Sequence, residues 1–238
     1  MTFRHGKNTK VLLNSFDLSA YFSESSVSQS VETGETTTFT SSAKTYLVGL
    51  TDSTMSLKGF FDGNVGAVDE NIAAALATDS ENITVAPEGL AAGSRVTTFT
   101  SILTSYEVTS PVADVVSISL EGQTTDRMDR GVSIYPLTVT SATGTSTAVD
   151  NTVATANGGV GQIHVPANTR NGSSTIKIQH SADNSTWVDL VTFTVVPLTT
   201  TTSERIAVTG TVNRYIRVNH TIAGTTGSIT YHANFARR

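Results

Sequence analysis

The sequence contains no cysteine, 5 prolines and a single tryptophan among its 238 residues. The absence of cysteine excludes a disulfide framework, thiolate catalysis and cysteine-based zinc sites. No apolar run approaches the roughly 20 residues with which a helix crosses a bilayer. The N-terminal segment also lacks the long apolar core of a signal peptide. We therefore expect a chain without a membrane span that is made and assembled in a cytoplasm.

Charged residues are scarce, at 15% of the chain, and their signs are unevenly distributed. Residues 1–135 hold 8 Lys/Arg and 16 Asp/Glu, whereas residues 136–238 hold 7 and 4. An acidic first half argues against ordinary nucleic-acid binding, which requires a basic surface to release counterions. Two roles for this charge remain open: it keeps the protein soluble, or it forms a wall that repels a passing polyanion.

Threonine, serine, valine and glycine are abundant, and this composition predicts a mainly β protein because β-branched side chains fit a pleated sheet. A segment at about 67–77 is rich in alanine and predicts a helix, with Asp69 and Glu70 in its first turn. The first domain, 1–135, is therefore expected to be an antiparallel barrel or sandwich with one covering helix. Alternation and turn residues predict its strands at 10–13, 25–32, 54–61, 82–86, 95–107 and 115–122.

The segment 123–136 is charged, contains Gly131 and ends in Pro136, which predicts a linker. Beyond it, short strand patterns recur between turn residues. This regular spacing predicts a second domain over 136–238, a β-sandwich of the jelly-roll type. Its strands are predicted at 161–165, 174–180, 187–196, 204–209, 214–221 and 227–233.

A polar loop at about 33–50 is long for a connection inside a compact domain, and such loops are usually functional. It carries apolar side chains among many hydroxyl groups. Buried aromatic and aliphatic anchors often dominate the energy of an interface. We predict that this loop contacts another subunit through Thr36, Thr38, Phe39, Lys44, Tyr46 and Leu47.

No motif for catalysis is present. The sequence lacks the H-E-x-x-H, G-x-S-x-G and Walker patterns. The glycine-rich segment 157–161 precedes a predicted strand, whereas phosphate binding requires a helix N-terminus. His180 and His220 lie on predicted strands that could be neighbours, so a metal site and ordinary hydrogen-bonded histidines both remain open. The lack of nearby carboxylates favours the second. We expect no enzyme activity, no cofactor and no metal.

Two segments of the second domain resemble galactose-binding-like jelly rolls. Residues 176–187, IKIQHSADNSTW, are similar to the Ile-x-x-Ser-x-Asp-Gly-x-x-Trp hairpin of that family. Residues 214–218, RYIRV, are similar to its Arg-Tyr-Ile-Arg strand. Trp187 and Tyr215 then have two interpretations, as core residues or as exposed contacts for a glycan. The apolar neighbours of Trp187 favour the core, and many domains of this type bind no sugar.

Most of residues 1–130 resembles the major tail tube proteins of siphophages, which have long non-contractile tails. The similarity is carried by the segments 16–22, 32–46, 50–62, 85–89 and 106–112. The resemblance implies hexameric rings that stack into a tube, with a β-barrel around the lumen. It also implies that the loop reaches the neighbouring ring and that the C-terminal domain is displayed outside.

The same resemblance implies partners and a location. The partners would be further copies of the chain, the tape-measure, tail-terminator and distal-tail proteins, and viral double-stranded DNA that passes through the lumen without specific binding. The location would be the virion tail, after assembly in the host cytoplasm. The predicted function is thus that of a structural virion protein, a tail tube subunit. The alternatives are a carbohydrate-binding module of a phage or surface adhesin, and a capsid decoration protein.

Overall fold

The computed structural model describes residues 4–76 and 78–238. In this part of the chain the protein is mainly β, with antiparallel sheets and one α-helix, which confirms the predicted fold class. No helix in these residues is long and apolar enough to cross a membrane. All strands predicted from alternation are present, with bounds that shift by a few residues.

A short 3-10 turn at Gly6–Asn8 precedes the first strand. The elements up to residue 124 are β1 (Lys10–Leu13), β2 (Phe16–Asp17), β3 (Phe22–Glu35), β4 (Tyr46–Phe60), α1 (Val68–Ala75), β5 (Glu81–Ala86), β6 (Arg95–Thr109) and β7 (Ser117–Thr124). The later strands are β8 (Asp129–Thr140), β9 (Gly144–Thr145), β10 (Val149–Asp150), β11 (Gly159–Asn168), β12 (Ser174–Ser181), β13 (Val188–Thr192), β14 (Thr202–Val208), β15 (Tyr215–Ile222) and β16 (Ile229–Arg237).

The chain forms two compact units that interleave along the sequence. The first unit contains the residues up to Ala20, 82–99 and 129–238, and the second contains 21–81 and 100–128. This division differs from the predicted one at residue 135, since the first unit combines segments of both predicted domains. The predicted linker is wrong in its second half, because β8 runs through it as a sheet strand paired with β16.

The first unit packs two sheets against each other. One has the order β14-β11-β16-β8-β6-β5-β1-β2, and the other has the order β10-β15-β12-β13, with β9 also on β15. Side chains from both sheets share one apolar core, which is the packing of a β-sandwich. Its largest fully buried members are Tyr231, Phe193 and Phe235. Burying large apolar side chains of this kind contributes roughly 1.5–3 kcal/mol for each one.

The second unit contains a four-stranded sheet in the order β3-β4-β7-β6, together with α1. Met55, Leu57 and Leu120 alternate toward one face of this sheet and are buried. The predicted helix is confirmed, although it ends at Ala75 and Ala77 lies outside the described residues. It has no side-chain N-cap bond, but the Glu70 carboxylate accepts a 2.6 Å hydrogen bond from the backbone N–H of Gly66. A carboxylate near the N-terminus also complements the helix dipole.

Candidate functional site

The loop predicted at 33–50 is shorter than expected, because both of its ends are strands. Thr33, Gly34 and Glu35 of β3 pair with Val48, Leu47 and Tyr46 of β4, so the connection itself spans only 36–45. We call residues 28–52 the arm. Every residue of the arm is exposed, on both faces of the two-stranded ribbon. The sequence missed the strand ends because glycine and threonine there resemble loop composition.

Hydroxyl groups order the tip of the arm. The Thr36 N–H donates to the Thr45 carbonyl oxygen at 2.8 Å, and the hydroxyl groups of these two residues are 3.1 Å apart. The Ser41 N–H donates to the Thr38 carbonyl oxygen at 2.9 Å, which closes a four-residue turn. Lys44 forms an exposed ion pair with Glu35 at 3.2 Å. The tip thus has a defined shape although no described residue covers it.

Apolar side chains of the arm extend the core-facing side of the sheet into solvent. Tyr46 and Val48 of β4 pair with residues of β3 that lie on the same face as Val31. Val27 also lies on this face of β3, and it pairs with the buried Met55. Val48 is 79% exposed. Leu50 (78%) and Phe39 (112%) add further apolar surface. The periodic pattern of a buried strand therefore continues beyond the packed part of the sheet.

Such a ribbon is incomplete as a monomer. A two-stranded hairpin is marginally stable in water unless one of its faces is covered. Contiguous exposed apolar groups on a soluble protein mark an interaction surface. The arm combines both features, so it is the candidate interaction surface in the described part of the chain.

The sheet that carries the arm also has an unpaired strand edge. β4 is the single strand partner of β3, so the outer edge of β3 is open along 14 residues of the described chain. Residues 102–109 of β6 pair with β7 on one side. β3 contains no lysine or proline, which commonly protect an edge. The open edge of β3 is available for a strand of another copy.

The face of this sheet that points away from the buried residues is covered with hydroxyl groups and carboxylates. We call it the hydroxyl face. The register places on it Glu24, Ser26, Ser28, Ser30, Asp52, Thr54, Ser56, Lys58, Ser105, Glu107, Thr109, Ser117, Ser119, Glu121 and Gln123. Its charged members are four carboxylates and Lys58, which lies 4.0 Å from Glu24. Phe60 and Ile102 are exposed at its margins.

The structure brings together the six residues predicted as inter-subunit contacts. Thr36, Thr38, Phe39, Lys44, Tyr46 and Leu47 all lie on the arm and are exposed. Sequence reasoning missed Val31 and Val48 as members of this surface. The spacing of Val31 from Val27 and of Val48 from Tyr46 was consistent with strands. It was not used because these positions were assigned to a loop.

Trp187 and Tyr215 lie in the first unit and are neither core residues nor freely exposed. Both are half-buried, and neither belongs to the apolar core between the sheets. The Arg217 guanidinium lies 4.1 Å from the centre of the Trp187 ring, and that of Arg214 lies 4.8 Å from the Tyr215 ring. The predicted core position of Trp187 is therefore wrong, and one face of its ring is already occupied by a cation.

The described residues contain no cluster of three His, Cys, Asp or Glu side chains suited to a metal. The register pairs His180 with Ile216 and His220 with Ile176, so the two histidines lie at opposite ends of the β12–β15 pair. The His180 Nδ1 accepts a 3.1 Å hydrogen bond from the Asn213 N–H, and the His220 Nδ1 lies 2.6 Å from the Tyr231 hydroxyl. Burial lowers the pKa of both imidazoles. The hydrogen-bonded interpretation is therefore correct for this pair.

No protein-family model and no curated protein sequence matches the chain significantly. Among solved structures, a chain of the virion of a native gene transfer agent particle is similar to it, with a TM-score of 0.45 and 17% identity, over 54% of this chain and 98% of that one. A chain from the tail of an empty gene transfer agent particle, refined with C6 symmetry, has a TM-score of 0.42 and 15% identity, over 53% and 97%. The Dit protein of phage SPP1, described as a paradigm of the hub adsorption apparatus, has a TM-score of 0.39 and 14% identity, over 96% and 99%.

Proposed function

We propose that the chain is a structural subunit of a phage tail tube, and that its function is self-assembly by packing. The observation that carries this proposal is the arm, a two-stranded ribbon that is exposed on both faces from Ser28 to Asp52. The sequence resemblance of residues 1–130 to tail tube proteins supports the same conclusion. The arm would insert its apolar side chains between copies in the neighbouring ring.

Ring closure would use the two edges of the four-stranded sheet. The open edge of β3 in one copy would pair with β6 residues 102–109 of the next, so that main-chain hydrogen bonds join the copies. A head-to-tail contact that closes on itself produces a ring. The sheets would then form one continuous barrel, and we propose six copies to a ring as the resemblance implies.

The hydroxyl face would line the lumen of this barrel. Its four carboxylates outnumber the one lysine, so a DNA duplex would be repelled from the wall at close range. Serine and threonine hydroxyl groups keep the wall hydrated without offering cations to phosphate groups. DNA would therefore pass through without specific binding. The C-terminal part of the chain, residues 136–238, would be displayed outside, and the ends of the tube would bind other tail proteins.

The apolar side chains of the arm provide the sharpest test. We expect the triple variant Phe39→Ser, Val48→Ser, Leu50→Ser to remain a folded monomer that forms no tubes, because its substitutions lie on exposed positions. Deletion of residues 41–45 should have the same effect. Negative-stain electron microscopy and sedimentation velocity of the purified protein would measure assembly, and circular dichroism would measure folding.

The matched control replaces exposed valines outside the arm. Val139→Ser with Val153→Ser alters side chains that are each 63% exposed and lie in the first unit. This control should assemble like the wild type. Tubes formed by the triple variant, or a wild-type protein that stays monomeric at every concentration, would contradict the proposal.

A further inference from the structure

The first unit contains a buried layer of polar side chains on the side of β11 and β16 opposite the apolar core. Gln162 pairs with Asn234, and His164 pairs with His232, so the four side chains share one face. Thr84 of β5 and Thr98 of β6 complete what we call the histidine layer. All six residues are completely buried. This layer lies where the segment before residue 100 packs on strands from the C-terminal part of the chain.

The hydrogen bonds of the layer determine the tautomer of each histidine. His164 Nδ1 lies 2.6 Å from the carbonyl oxygen of Asn14, and His232 Nδ1 lies 2.7 Å from the carbonyl oxygen of Tyr135. A carbonyl oxygen only accepts, so both Nδ1 atoms must carry the proton. Each neutral ring therefore presents the lone pair of Nε2 to the interior of the layer.

The neighbours of these Nε2 atoms can donate hydrogen bonds to them. His164 Nε2 lies 2.8 Å from the Thr84 hydroxyl and 2.9 Å from the Gln162 amide nitrogen. The Gln162 amide is held in this orientation because its oxygen accepts from Thr98 and its nitrogen also donates to the Ile83 carbonyl oxygen. The Asn234 amide nitrogen donates to Thr84 at 3.1 Å and lies 3.4 Å from His232 Nε2. A second proton on either ring would face an amide nitrogen, Gln162 for His164 and Asn234 for His232, and an amide nitrogen only donates.

The carboxylates that the register places on the faces of the layer, Asp129 and Asp17, lie next to cations. Asp129, which shares the face of Thr98, binds Arg205 at 2.5 Å and Arg238 at 2.9 Å. On β1 and β2, Lys10 and Asp17 share the face of Thr84 and lie 3.9 Å from each other. The two rings themselves are 6.3 Å apart, so two imidazolium ions would repel each other.

We propose that the histidine layer is an acid-sensitive latch. While both imidazoles are neutral, it holds β5 and the turn at Asn14 against β11 and β16. In mild acid the rings gain protons only when these N-terminal elements open, so the fall in pH favours the released state, whereas the apolar core between the two sheets has no part in the latch. This device is independent of the proposed assembly function, since none of its residues lies on the arm or the hydroxyl face.

The direction of the pH dependence follows from burial. Burial lowers the pKa of His164 to about 4 and that of His232 to about 3, and the neighbouring His164 contributes to the latter. In the unfolded chain both pKa values are near 6.5. The stabilisation is therefore complete above pH 6.5 and is lost as the pH falls toward these folded values. At pH 5.0 each ring should raise the unfolding equilibrium constant by about thirtyfold, relative to pH 7.5.

The test compares the wild type with the double variant His164→Asn, His232→Asn. The asparagine amide nitrogen takes the place of Nδ1 as donor but cannot be protonated. His5→Asn is the matched control, because His5 is exposed. Urea unfolding of the full chain would be measured at pH 7.5, 6.0 and 5.0. The rise of the unfolding equilibrium constant from pH 7.5 to pH 5.0 should be about a thousandfold smaller for the double variant than for the wild type and the control. Equal pH dependence in all three proteins would overturn the proposal.

Two measurements keep the test decisive if the double variant does not fold. In the wild type, nitrogen-15 NMR of the imidazoles should show two rings that stay neutral, with the proton on Nδ1, from pH 7.5 to 5.0. Hydrogen exchange at pH 5.0, corrected for intrinsic rates, should show β1 and β5 opening before β12 and β15. A ring that titrates near pH 6.5 in the folded protein, or simultaneous exchange of all these strands, would refute the latch.

Discussion

Individual side chains stabilise connections between strands by binding carbonyl groups that form no sheet hydrogen bonds, and Arg170 is the clearest case. Its guanidinium donates to the carbonyl oxygens of Ala223 (2.8 Å), Gly224 (2.6 Å) and Gly227 (2.7 Å), with a further bond from Nε to Ala223 at 3.2 Å. These residues form the connection between β15 and β16. Arg170 is only 3% exposed, so its bonds replace water almost completely. A planar fork of donors suits this set of carbonyl groups.

Replacing this fork tests its contribution. We expect Arg170→Lys to lower the free energy of unfolding by about 3 kcal/mol, because the ammonium group leaves several buried carbonyl groups unpaired. Urea denaturation followed by tryptophan fluorescence would measure the change. Arg95→Lys, at an exposed position, should change stability by less than about 0.5 kcal/mol. Equal effects would show that the guanidinium geometry is unimportant.

At the scale of elements, the base of the β3–β4 hairpin depends on a glycine. A Cβ atom on Gly59 would lie 2.8 Å from the Phe22 Cα and would overlap the Tyr21 carbonyl group. That carbonyl oxygen accepts a 2.9 Å hydrogen bond from the Phe60 N–H, next to a shift in the strand register. The two strands can therefore approach closely only if residue 59 has no side chain.

Alanine scanning of two glycines in this hairpin separates close packing from strand propensity. Gly59→Ala should destabilise the second unit by about 3 kcal/mol, because backbone must move to accept the methyl group. Gly34→Ala is the matched control, since a Cβ there meets nothing within 4 Å. It should leave stability within about 0.5 kcal/mol of the wild type. Thermal unfolding under non-assembling conditions would measure both, and similar values would contradict the packing argument.

At the scale of the whole molecule, the proposed passage of DNA depends on the sign of charge on the hydroxyl face. Glu24 of β3 and Glu107 of β6 are exposed on it. Lys58 is its one cation. An assembled tube would repeat this excess of carboxylates around the lumen. Phosphate groups bind where lysine or arginine releases counterions, and this face provides few such groups.

Reversing the charge of two carboxylates on the hydroxyl face should cause it to bind DNA. We expect the Glu24→Lys, Glu107→Lys variant to bind double-stranded DNA in a gel-shift assay at low salt, with affinity falling steeply as salt rises. The wild type should show no shift. The control Asp79→Lys, Asp114→Lys makes the same change of net charge at exposed positions that the register does not place on this face. DNA binding of equal strength by the control would remove the support for the hydroxyl face as the lumen wall.

The sequence alone determined the class of fold and the position of nearly every strand. Alternation identifies a strand because its side chains point to opposite faces, so the patterns around Met55 and Leu57 could be interpreted without knowing their partners. The arm was also visible, as an unusually long polar segment with apolar members. Its true extent was not, because the residues that make it a hairpin pair with one another rather than with a core.

Only the tertiary structure decided how the chain divides into units and what the polar residues do. β8 looked like a linker because charge and proline do not reveal a strand whose partner, β16, lies about a hundred residues away. His164 and His232 form a buried layer because cross-strand register joins two distant strands, and no local pattern encodes that register. Trp187 was expected in the core, yet contact with Arg217 lets it remain half-buried at the surface. Local periodicity fixes the elements, whereas long-range pairing fixes which side chains meet.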